Sequence, residues 1–439
     1  MSSSSSPAAP PRSRRSFRLV CGQERVSLVE DLLTAEGYVF TAEKFSPWCR
    51  RLEYEPHPLG ASLAAFFGYI YIQDRSSMLP PLALAPDAGG FALDMCASPG
   101  GKSGFLAQLT GSDGFVLANE QSQARLVPLR ANLCAANLPQ AATSCFPGQA
   151  LPLPQNFCRH ILLDAPCSGW GTAEKHPEVL KLWKTEKTGQ LVALQRRLLT
   201  KAAGLLAPGG ALVYSTCTTN EAENECQLRF AEEELGLARD PLAPFPGFVF
   251  EERAGGEGAL RVDGEKSGAQ GFFVARLKKT ASPAPSGNIS FRASRPARQG
   301  HTRVNHGTGQ RLALCSLEGD CCDPARLPPG TAALFGDHVR FLPTKSDALP
   351  VDFIWRGMEL GRMKSGRFRP APRLRALLPH PAENGKSLVL EDVSEVRALL
   401  DGQSRRTGLS GHEAGLWWRG LPLCLVRLSQ GRASAAFGM

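Results

Sequence analysis

Short apolar runs alternate with segments of helical periodicity between residues 91 and 217, and this alternation constrains the fold more than any other feature. The runs are Phe91–Cys96, Gly114–Glu120, the residues before Asp164 and the residues before Cys217. Between them, leucines at helical spacing predict helices, the longest from about Lys187 to Leu206. Apolar strands separated by helices form parallel sheets that are covered on both faces. The sequence therefore predicts an α/β fold with a doubly wound, Rossmann-like sheet.

Two of these predicted strands end in cysteine motifs. Asp164-Ala165-Pro166-Cys167 follows one apolar run, and Ser215-Thr216-Cys217 follows the next. Active sites of doubly wound sheets form at the carboxyl ends of the strands, so the two thiols should approach each other. A thiolate is a strong nucleophile, and a neighbouring carboxylate can handle a proton. We therefore expect Cys167, Cys217 and Asp164 to meet over one substrate atom.

A glycine-rich turn, Ala97–Ser103, follows the first of the four strands. Its Gly-Lys-Ser sequence is typical of a phosphate-binding loop, but that loop needs a glycine about five residues before Gly101, where this chain has Cys96. The alternative is a turn that binds a nucleoside-containing cofactor, followed about twenty residues later by an acid that holds a ribose. Glu120 is that acid, so the sequence favours an adenosine-containing cofactor.

The formal charge of +9 is unevenly distributed along the chain. Residues 1 to 281 contain 28 Lys and Arg against 28 Asp and Glu, whereas residues 282 to 439 contain 22 against 13. A basic excess confined to one region favours a polyanion-binding surface, with a solvated basic face as the alternative. Thirteen cysteines without a Cys-x-x-Cys pair indicate reduced thiols and no metal site. The apolar runs are too short to cross a bilayer.

The segments on either side of this block differ from it in composition. Residues 1–16 are rich in serine, proline and arginine, which predicts a disordered tail. Residues 17–88 should form a small α+β segment, with a helix from Leu28 to Glu36 and a strand within Phe66–Asp74. Residues 280–290 have the composition of a linker, and residues 291–439 contain strand-like runs that predict a β-rich module.

The densest basic stretch lies in this last region and contains a single acid, Glu359. Its basic residues are Arg356, Arg362, Lys364, Arg367, Arg369, Arg373 and Arg375. Trp355 and Phe368 are interleaved with them, and basic and aromatic residues together suit RNA through phosphate contacts and base stacking. The alternative for the aromatic residues is a place in the core, which we favour for Trp355.

Four strings, taken in order, resemble the Sun/Fmu family of S-adenosylmethionine-dependent RNA cytosine-5 methyltransferases. They are Asp94-Met95-Cys96-Ala97-Ser98-Pro99-Gly100-Gly101-Lys102-Ser103, Asp164-Ala165-Pro166-Cys167-Ser168-Gly169, Tyr214-Ser215-Thr216-Cys217-Thr218 with Glu223-Asn224-Glu225, and Gly271-Phe272-Phe273. The flanking segments resemble the ribosomal small-subunit methyltransferase F branch. The resemblance implies a methyltransferase domain at residues 89–279, an RNA-binding role for residues 17–88 and a basic, PUA-like RNA-binding domain at residues 291–439.

The resemblance also implies roles for individual residues. Cys217 is the nucleophile that adds to carbon 6 of a cytosine, while Cys167 assists removal of the carbon 5 proton and release of the enzyme. Asp164 contacts both the ring and the cofactor. S-adenosyl-L-methionine would bind through Cys96, Ala97, Ser98, Pro99, Gly100, Gly101, Lys102, Glu120 and Asp164. The implied partner is RNA, as ribosomal RNA or a ribosomal subunit, bound by a cytoplasmic monomer with no membrane contact.

The motifs leave alternatives open. DNA cytosine methyltransferases attack from a Pro-Cys motif, so Cys167 and Cys217 could exchange roles. Transfer RNA would use the same chemistry, and a noncatalytic assembly factor is a third possibility that the intact cysteines oppose. For Cys96 the alternative is a small buried residue with only its backbone near the cofactor. No Asp or Glu lies between Glu120 and Asp164, although many relatives hold adenine with an acid there, so backbone groups or Gln149 would take its place.

Overall fold

The computed structural model describes residues 15–169, 185–280, 309–317 and 321–438. The predicted tail lies outside these ranges except for its last two residues, and Ser16 already begins a strand. The predicted linker at residues 280–290 also lies outside them, apart from Thr280.

The N-terminal residues form a small unit around a four-stranded antiparallel sheet. Its strands, in the order β2-β3-β1-β4, are Ser16–Leu19 (β1), Val39–Ala42 (β2), Cys49–Tyr54 (β3) and Ile70–Ile72 (β4). Its helices are Val26–Ala35 (α1), Leu63–Phe66 (α2) and Leu79–Leu84 (α3). The helix predicted from Leu28 to Glu36 is confirmed by α1, which buries Val29, Leu32 and Leu33 on one face.

The prediction of a strand within Phe66–Asp74 was wrong for the residues before Ile70. Phe66 ends α2, a helix that begins where the side chain of Ser62 accepts a hydrogen bond from the amide of Ala65. Gly68 then adopts a φ of +69°, which reverses the chain, and β4 begins only at Ile70. Capping by a serine and a left-handed glycine therefore outweighs the strand propensity of the aromatic residues.

The central block forms the largest sheet of the protein. Its strands are Phe91–Asp94 (β5), Phe115–Asn119 (β6), Ala141–Ser144 (β7), Cys158–Asp164 (β8), Leu206–Thr216 (β9), Leu237–Arg239 (β10), Phe250–Glu251 (β11), Leu260–Val262 (β12) and Phe272–Lys279 (β13). Its helices are Gly101–Thr110 (α4), Gln123–Ala135 (α5), Thr185–Leu205 (α6), Glu225–Glu233 (α7) and Gly264–Ser267 (α8).

The order of the central strands confirms the doubly wound fold. Parallel pairing produces the order β9-β8-β5-β6-β7, and β13 adds to β9 in the antiparallel direction. The chain moves outward on one side from β5 to β7 and then returns to the other side of β5 with β8. Ligands of such sheets bind in the crevice outside the strand ends where the order reverses. Here that crevice lies above the carboxyl ends of β5 and β8.

The C-terminal region is β-rich, as predicted, and forms two five-stranded sheets in the orders β14-β15-β16-β18-β19 and β20-β22-β23-β24-β21. Its strands are Gln310–Leu312 (β14), Gly330–Phe335 (β15), His338–Pro343 (β16), Trp355–Arg356 (β17), Glu359–Lys364 (β18), Arg367–Pro370 (β19), Ser387–Leu390 (β20), Ser404–Arg406 (β21), Glu413–Trp418 (β22), Leu421–Ser429 (β23) and Arg432–Ala435 (β24). Its helices are Pro381–Asn384 (α9) and Val393–Leu400 (α10).

One C-terminal strand belongs to the central sheet. Trp355 of β17 pairs with Ser144, and Arg356 pairs with Thr143, so β17 extends the sheet beyond β7. The ring of Trp355 packs against Phe115 of β6 at a centroid distance of 6.1 Å. Trp355 is half-buried and packs against the core, which agrees with the core role favoured for it.

The N-terminal unit and the last sheet share a hydrophobic core. Phe17 and Leu32 lie in the same buried cluster as Trp418 and Leu421, although some 390 residues separate the two ends of the chain. The limits predicted for the separate domains stay a prediction, because the packing joins these segments rather than dividing them.

Arg375 corrects part of the predicted RNA-binding stretch. Its side chain is buried and donates to four backbone carbonyls, those of Phe67, Gly68, Ala135 and Ala136. The first two belong to the N-terminal unit, and the last two end α5. A guanidinium enclosed in this way cannot face RNA. Arg375 instead joins the C-terminal region to the other two parts of the protein.

In the part of the chain that the structure describes, no helix is long and apolar enough to span a membrane. Among the same residues, no group of three His, Cys, Asp or Glu side chains is placed to hold a metal ion.

Candidate active site

The two predicted cysteines lie together at the carboxyl ends of β8 and β9. Their Sγ atoms are 2.9 Å apart, and the backbone amide of Cys217 donates to the Sγ atom of Cys167 over 3.3 Å. The strands place them there because β8 and β9 pair in parallel with Asp164 opposite Ser215, and each thiol follows within three residues. The expected meeting of the two thiols is confirmed by this geometry.

The environment of the pair distinguishes the two thiols. The hydrogen bond from Cys167 lowers the pKa of Cys217, although burial acts in the opposite direction. The same bond, together with burial, raises the pKa of Cys167 well above its usual value. Cys217 is thus the side chain suited to be the thiolate, with Cys167 holding the shared proton.

The loops that carry the two thiols are tied to each other by further hydrogen bonds. The hydroxyl groups of Ser168 and Thr218 are 2.7 Å apart. The buried carboxylate of Glu223 accepts from the amide of Ser168 and from the Gln195 side chain, both over 2.9 Å. Its other oxygen accepts from Asn220 over 3.1 Å. These contacts hold the Cys167 loop in a fixed position relative to the Cys217 loop.

Sequence reasoning had assigned no role to these supporting residues. Glu223 and Asn224 were part of the resemblance only as a string, whereas the structure shows Asn224 accepting from Thr216 and donating to the carbonyl of Thr218. Gln195 lies on α6, far from either motif in the sequence. The Glu223-Asn224 pair, six and seven residues after Cys217, is a sequence signal for two of these residues, whereas no motif marks Gln195.

Asp164 lies beside the thiols in an ion pair with Lys102. The Lys102 Nζ atom is 2.8 Å from Asp164 Oδ2, and Ser215 donates its hydroxyl to Asp164 Oδ1 over 2.7 Å. Burial alone would lower the pKa of Lys102, but the attraction of Asp164 outweighs it and raises that pKa. Phe272 lies under the ammonium group, with its ring centroid 5.3 Å from Nζ. The site therefore contains a fixed cation and a fixed anion next to the two sulfur atoms.

The glycine-rich turn leads directly from β5 into α4. Gly100 has a φ of +109° at the N-terminus of this helix, a conformation that favours glycine. The buried Asp94 carboxylate fixes the turn by accepting from the Ser103 hydroxyl over 2.6 Å and from the Cys96 amide over 3.4 Å. Burial raises the pKa of Asp94 to about 7 despite these contacts.

A cavity opens between the turn and the strand ends. It is lined by Asp94, by Cys96, Ala97, Ser98, Pro99, Gly101 and Lys102, and by Asp164 of the neighbouring strand. Tyr71 and Gln73 of the N-terminal unit close its other side. A Cβ atom on Gly101 would lie 2.4 Å from the Gln73 Oε1 atom and 2.8 Å from the Tyr71 ring, so a larger residue would displace these two side chains.

A second hollow continues from Cys96 past Glu120. Glu120 is buried at the end of β6, where one carboxylate oxygen accepts from the amide of Ser122 over 2.9 Å. Leu194 and Leu198 of α6 supply an apolar wall, and the side chain of Gln149 lines the opposite edge. The Gln149 Oε1 atom is buried and has no hydrogen-bond partner among the described residues. The slot has a volume of only about 20 Å³, so adenosine would have to widen it. Its unpaired acceptor and its carboxylate match the chemistry of adenosine, whose ring amine donates and whose ribose carries hydroxyls.

Asn119 positions the loop that carries Gln149. Its side chain donates to the carbonyls of Met95 and Phe146 over 3.1 and 2.9 Å, and it accepts from the Phe146 amide over 3.1 Å. These bonds hold the backbone of the loop in place. The absence of an acid between Glu120 and Asp164 thus leaves an ordered loop with an amide acceptor.

Comparison with known proteins agrees with these observations. A family model described as 16S rRNA methyltransferase RsmB/F matches residues 81–278. A ribosomal RNA small subunit methyltransferase F from Escherichia coli O17:K52:H18 (strain UMN026 / ExPEC) is 37% identical over 353 residues, which cover 75% of this chain and 72% of that relative.

Two solved structures share the fold. A methyltransferase homolog protein from Pyrococcus horikoshii aligns with a TM-score of 0.53 and 31% identity, over 62% of this chain and 87% of that protein. NSun6 from Pyrococcus horikoshii, crystallised with SFG, aligns with a TM-score of 0.54 over 61% of this chain and 91% of that chain. At 20% identity, the second likeness concerns the fold alone.

Proposed function

This chain belongs to the 16S rRNA methyltransferase RsmB/F family, and we propose that it methylates carbon 5 of a cytosine in ribosomal RNA through a covalent adduct with Cys217. It is an S-adenosylmethionine-dependent methyltransferase. The observation that carries the residue roles is the 2.9 Å approach of Cys217 to Cys167 beside the Lys102–Asp164 ion pair. With ribosomal RNA as the substrate, the proposed site of activity is the cytoplasm.

The first step is the addition of the Cys217 thiolate to carbon 6 of the cytosine. Carbon 5 is a poor nucleophile until this sulfur–carbon bond forms, because the addition moves a pair of electrons towards carbon 5 and the ring. Asp164 lies at the adjacent strand end, where its carboxyl group, once protonated, would donate to ring nitrogen 3 as negative charge builds up on the ring. In the free site Lys102 balances the charge of the ionised carboxylate. The target base must leave its stack to reach these groups.

S-adenosylmethionine supplies the electrophilic methyl group when bound. The turn from Cys96 to Lys102 would hold its amino acid portion, Glu120 its ribose and Gln149 its adenine amine. Because the two hollows meet at Cys96, a cofactor that lies along them would have its sulfonium group, which joins the amino acid portion to adenosine, near that residue. Tyr71 and Gln73 close the cavity opposite the turn and exclude water there.

Release requires the loss of the carbon 5 proton and the departure of Cys217. The electrons of the broken carbon–hydrogen bond restore the ring double bond and expel the Cys217 sulfur as a thiolate. Once the Cys217 sulfur is bonded to carbon 6, Cys167 no longer shares its proton with a thiolate, and the main cause of its raised pKa is removed. Cys167 then loses this proton to solvent and accepts the proton of carbon 5, so one turnover releases one proton. The Cys167 thiol, protonated again, stabilises the departing thiolate through the contact seen in the free site.

Separate alanine variants test these roles. Cys167→Ala should accumulate a protein–RNA adduct that survives denaturing gel electrophoresis after incubation with small-subunit ribosomal RNA and S-adenosylmethionine, because addition proceeds and release does not. Cys217→Ala should form no adduct and transfer no methyl group. Cys315 is exposed and remote from the site in sequence, so Cys315→Ala should behave like the unchanged protein.

An adduct that appears with Cys217→Ala instead would reverse the two roles. Bisulfite sequencing of cellular RNA, with and without the gene, tests the substrate. Loss of cytosine methylation in transfer RNA, with ribosomal RNA unaffected, would overturn the ribosomal RNA proposal while leaving the chemistry in place.

A further inference from the structure

A cavity unconnected with the cysteines lies where the C-terminal region meets the edge of the central sheet. Residues of α5 and β7 line one side, and residues of β16 to β18 line the other. Its volume is about 220 Å³. That is below the ~300–1,000 Å³ of ordinary small-molecule pockets but well above the ~30 Å³ of one water. The cavity therefore suits a small group, such as one phosphate of a larger ligand.

Three arginines from different elements converge on this cavity: Arg130 of α5, Arg340 of β16 and Arg356 of β17. Arg130 donates its Nε to the Thr143 hydroxyl over 3.0 Å, which fixes the side chain against β7. Arg340 donates to the carbonyl of Gly357 over 3.4 Å. The Nε atom of Arg356 is buried and lacks a hydrogen-bond partner among the described residues.

The positive charge of the cavity is not balanced by the protein. Glu359 is the one acid in its lining, at 3.2 Å from Arg340, and it is shared with His338 and Arg362. Within the described ranges, neither Arg130 nor Arg356 forms an ion pair. Burial, with added repulsion from Arg356 and Arg340, lowers the pKa of Arg130 to about 10. Three guanidinium groups lie beside one shared carboxylate, so the cavity has an excess positive charge that a bound anion would neutralise.

We propose that this cavity, which we call the arginine pocket, binds one backbone phosphate of the RNA substrate. The guanidinium group matches phosphate through paired N–H donors, and Arg356 supplies a buried donor without a partner. The inference rests on the RNA substrate of the proposed function but concerns a different part of the protein.

The position of the pocket agrees with an RNA strand rather than a separate ligand. The strand order β8-β5-β6-β7-β17 separates it from the cysteine site by four strand spacings, or roughly 19 Å at about 4.8 Å each. A few nucleotides of extended RNA span that distance. Because β17 is hydrogen-bonded into the same sheet as β8, the pocket and the cysteines stand at a fixed separation. Such a contact would set which nucleotide of a bound strand reaches Cys217.

Equilibrium binding of a fluorescein-labelled, mixed-sequence, single-stranded RNA tests the proposal on the full chain. Arg356→Gln should weaken binding about tenfold and reduce the slope of log affinity against log salt by about 0.7. The matched control is Arg427→Gln, which removes one charge from an exposed position on β23. It should change affinity less than about twofold. In methylation assays Arg356→Gln should raise the KM for RNA and leave kcat unchanged.

Thermal unfolding without RNA separates a binding role from a structural one. Removing one of three mutually repelling charges should leave the Tm of Arg356→Gln unchanged or raised, whereas a structural arginine would lower it. Equal weakening by Arg427→Gln, unchanged affinity of Arg356→Gln, or a lowered Tm that accounts for the lost binding would each overturn the proposal. So would a methylation rate of Arg356→Gln that excess RNA does not restore. Binding is measured without methyl transfer, so failure of the proposed chemistry would leave this test intact.

Discussion

Arg375 should be among the most important single side chains for stability, and the structure allows the effect of Arg375→Met to be worked out. The substitution removes donors from four carbonyls, of which Ala135 O keeps a second partner in the Asn137 side chain at 3.2 Å. Three buried carbonyls therefore lose the partner that the structure shows, at about 1–3 kcal/mol each. The contact of the guanidinium with the Tyr69 ring, 4.2 Å from the centroid, is also lost.

Two effects reduce this sum. A cavity of about 570 Å³ borders Arg375 and can admit water to the freed carbonyls. Methionine is also uncharged, so its burial does not carry the cost of desolvating a charge. That cost is what lowers the pKa of the Arg375 guanidinium group. We expect a net loss of about 4 kcal/mol in the free energy of unfolding, similar to breaking a buried ion pair. With a urea m-value of about 4 kcal/mol/M for a chain of this size, the unfolding midpoint should fall by about 1 M.

Urea unfolding followed by circular dichroism measures this shift, and Arg373→Met is the matched control. Arg373 is exposed and lies 3.9 Å from the Phe66 ring centroid, so its loss should cost only about 0.5–1 kcal/mol. A midpoint for Arg375→Met within roughly 0.2 M of the unchanged protein would refute the view that Arg375 joins the three parts of the chain.

Two further predictions concern the cofactor side of the site. Burial raises the pKa of Asp94 from 3.8 to about 7, so the stability gained by protonating Asp94 in the folded protein is complete below about pH 4 and is lost as the pH rises through about 7. Asp94→Asn should remove this pH dependence. In calorimetry, the Tm of the variant minus that of the unchanged protein should therefore increase from about pH 4 to about pH 8. A Tm difference that does not change with pH would contradict the raised pKa of Asp94. Gln149→Leu should raise the Kd for S-adenosylhomocysteine about tenfold in titration calorimetry without changing RNA binding, because one hydrogen bond to adenine is lost. An unchanged Kd would remove Gln149 from the adenine site.

The sequence was sufficient for the fold and for the meeting of the two thiols. Both follow from local patterns: strands such as β8 contain a short apolar run, here Ile161-Leu162-Leu163, and the carboxyl ends of paired parallel strands are adjacent. The position of Cys167 relative to Cys217 required only that their strands be neighbours. Chemistry concentrated at strand ends is therefore the part of such a protein most accessible to prediction.

The contacts between distant segments were not accessible in this way. The sequence around Arg375 does not differ from that around the exposed arginines a few residues away. Arg375 is buried only because it packs against Phe67 and Ala136. Similarly, the two residues of β17 are too few to show strand periodicity, and their pairing with β7 depends on the partner edge. Glu223 owes its role to amides on another loop. These features arise from tertiary structure, which no local pattern records.

The pairing of β17 with β7 also affects how a fragment of this enzyme without the C-terminal region would behave. All four residues of β7 are buried, so a chain cut before the C-terminal region would expose them and leave the edge that now pairs with β17 open to solvent. Exposed edges of this kind recruit strands from other molecules and lead to aggregation. The C-terminal region is thus a lateral cover of the catalytic sheet. A catalytic fragment ending near residue 280 should need a substitute strand or charged edge residues before it remains monomeric.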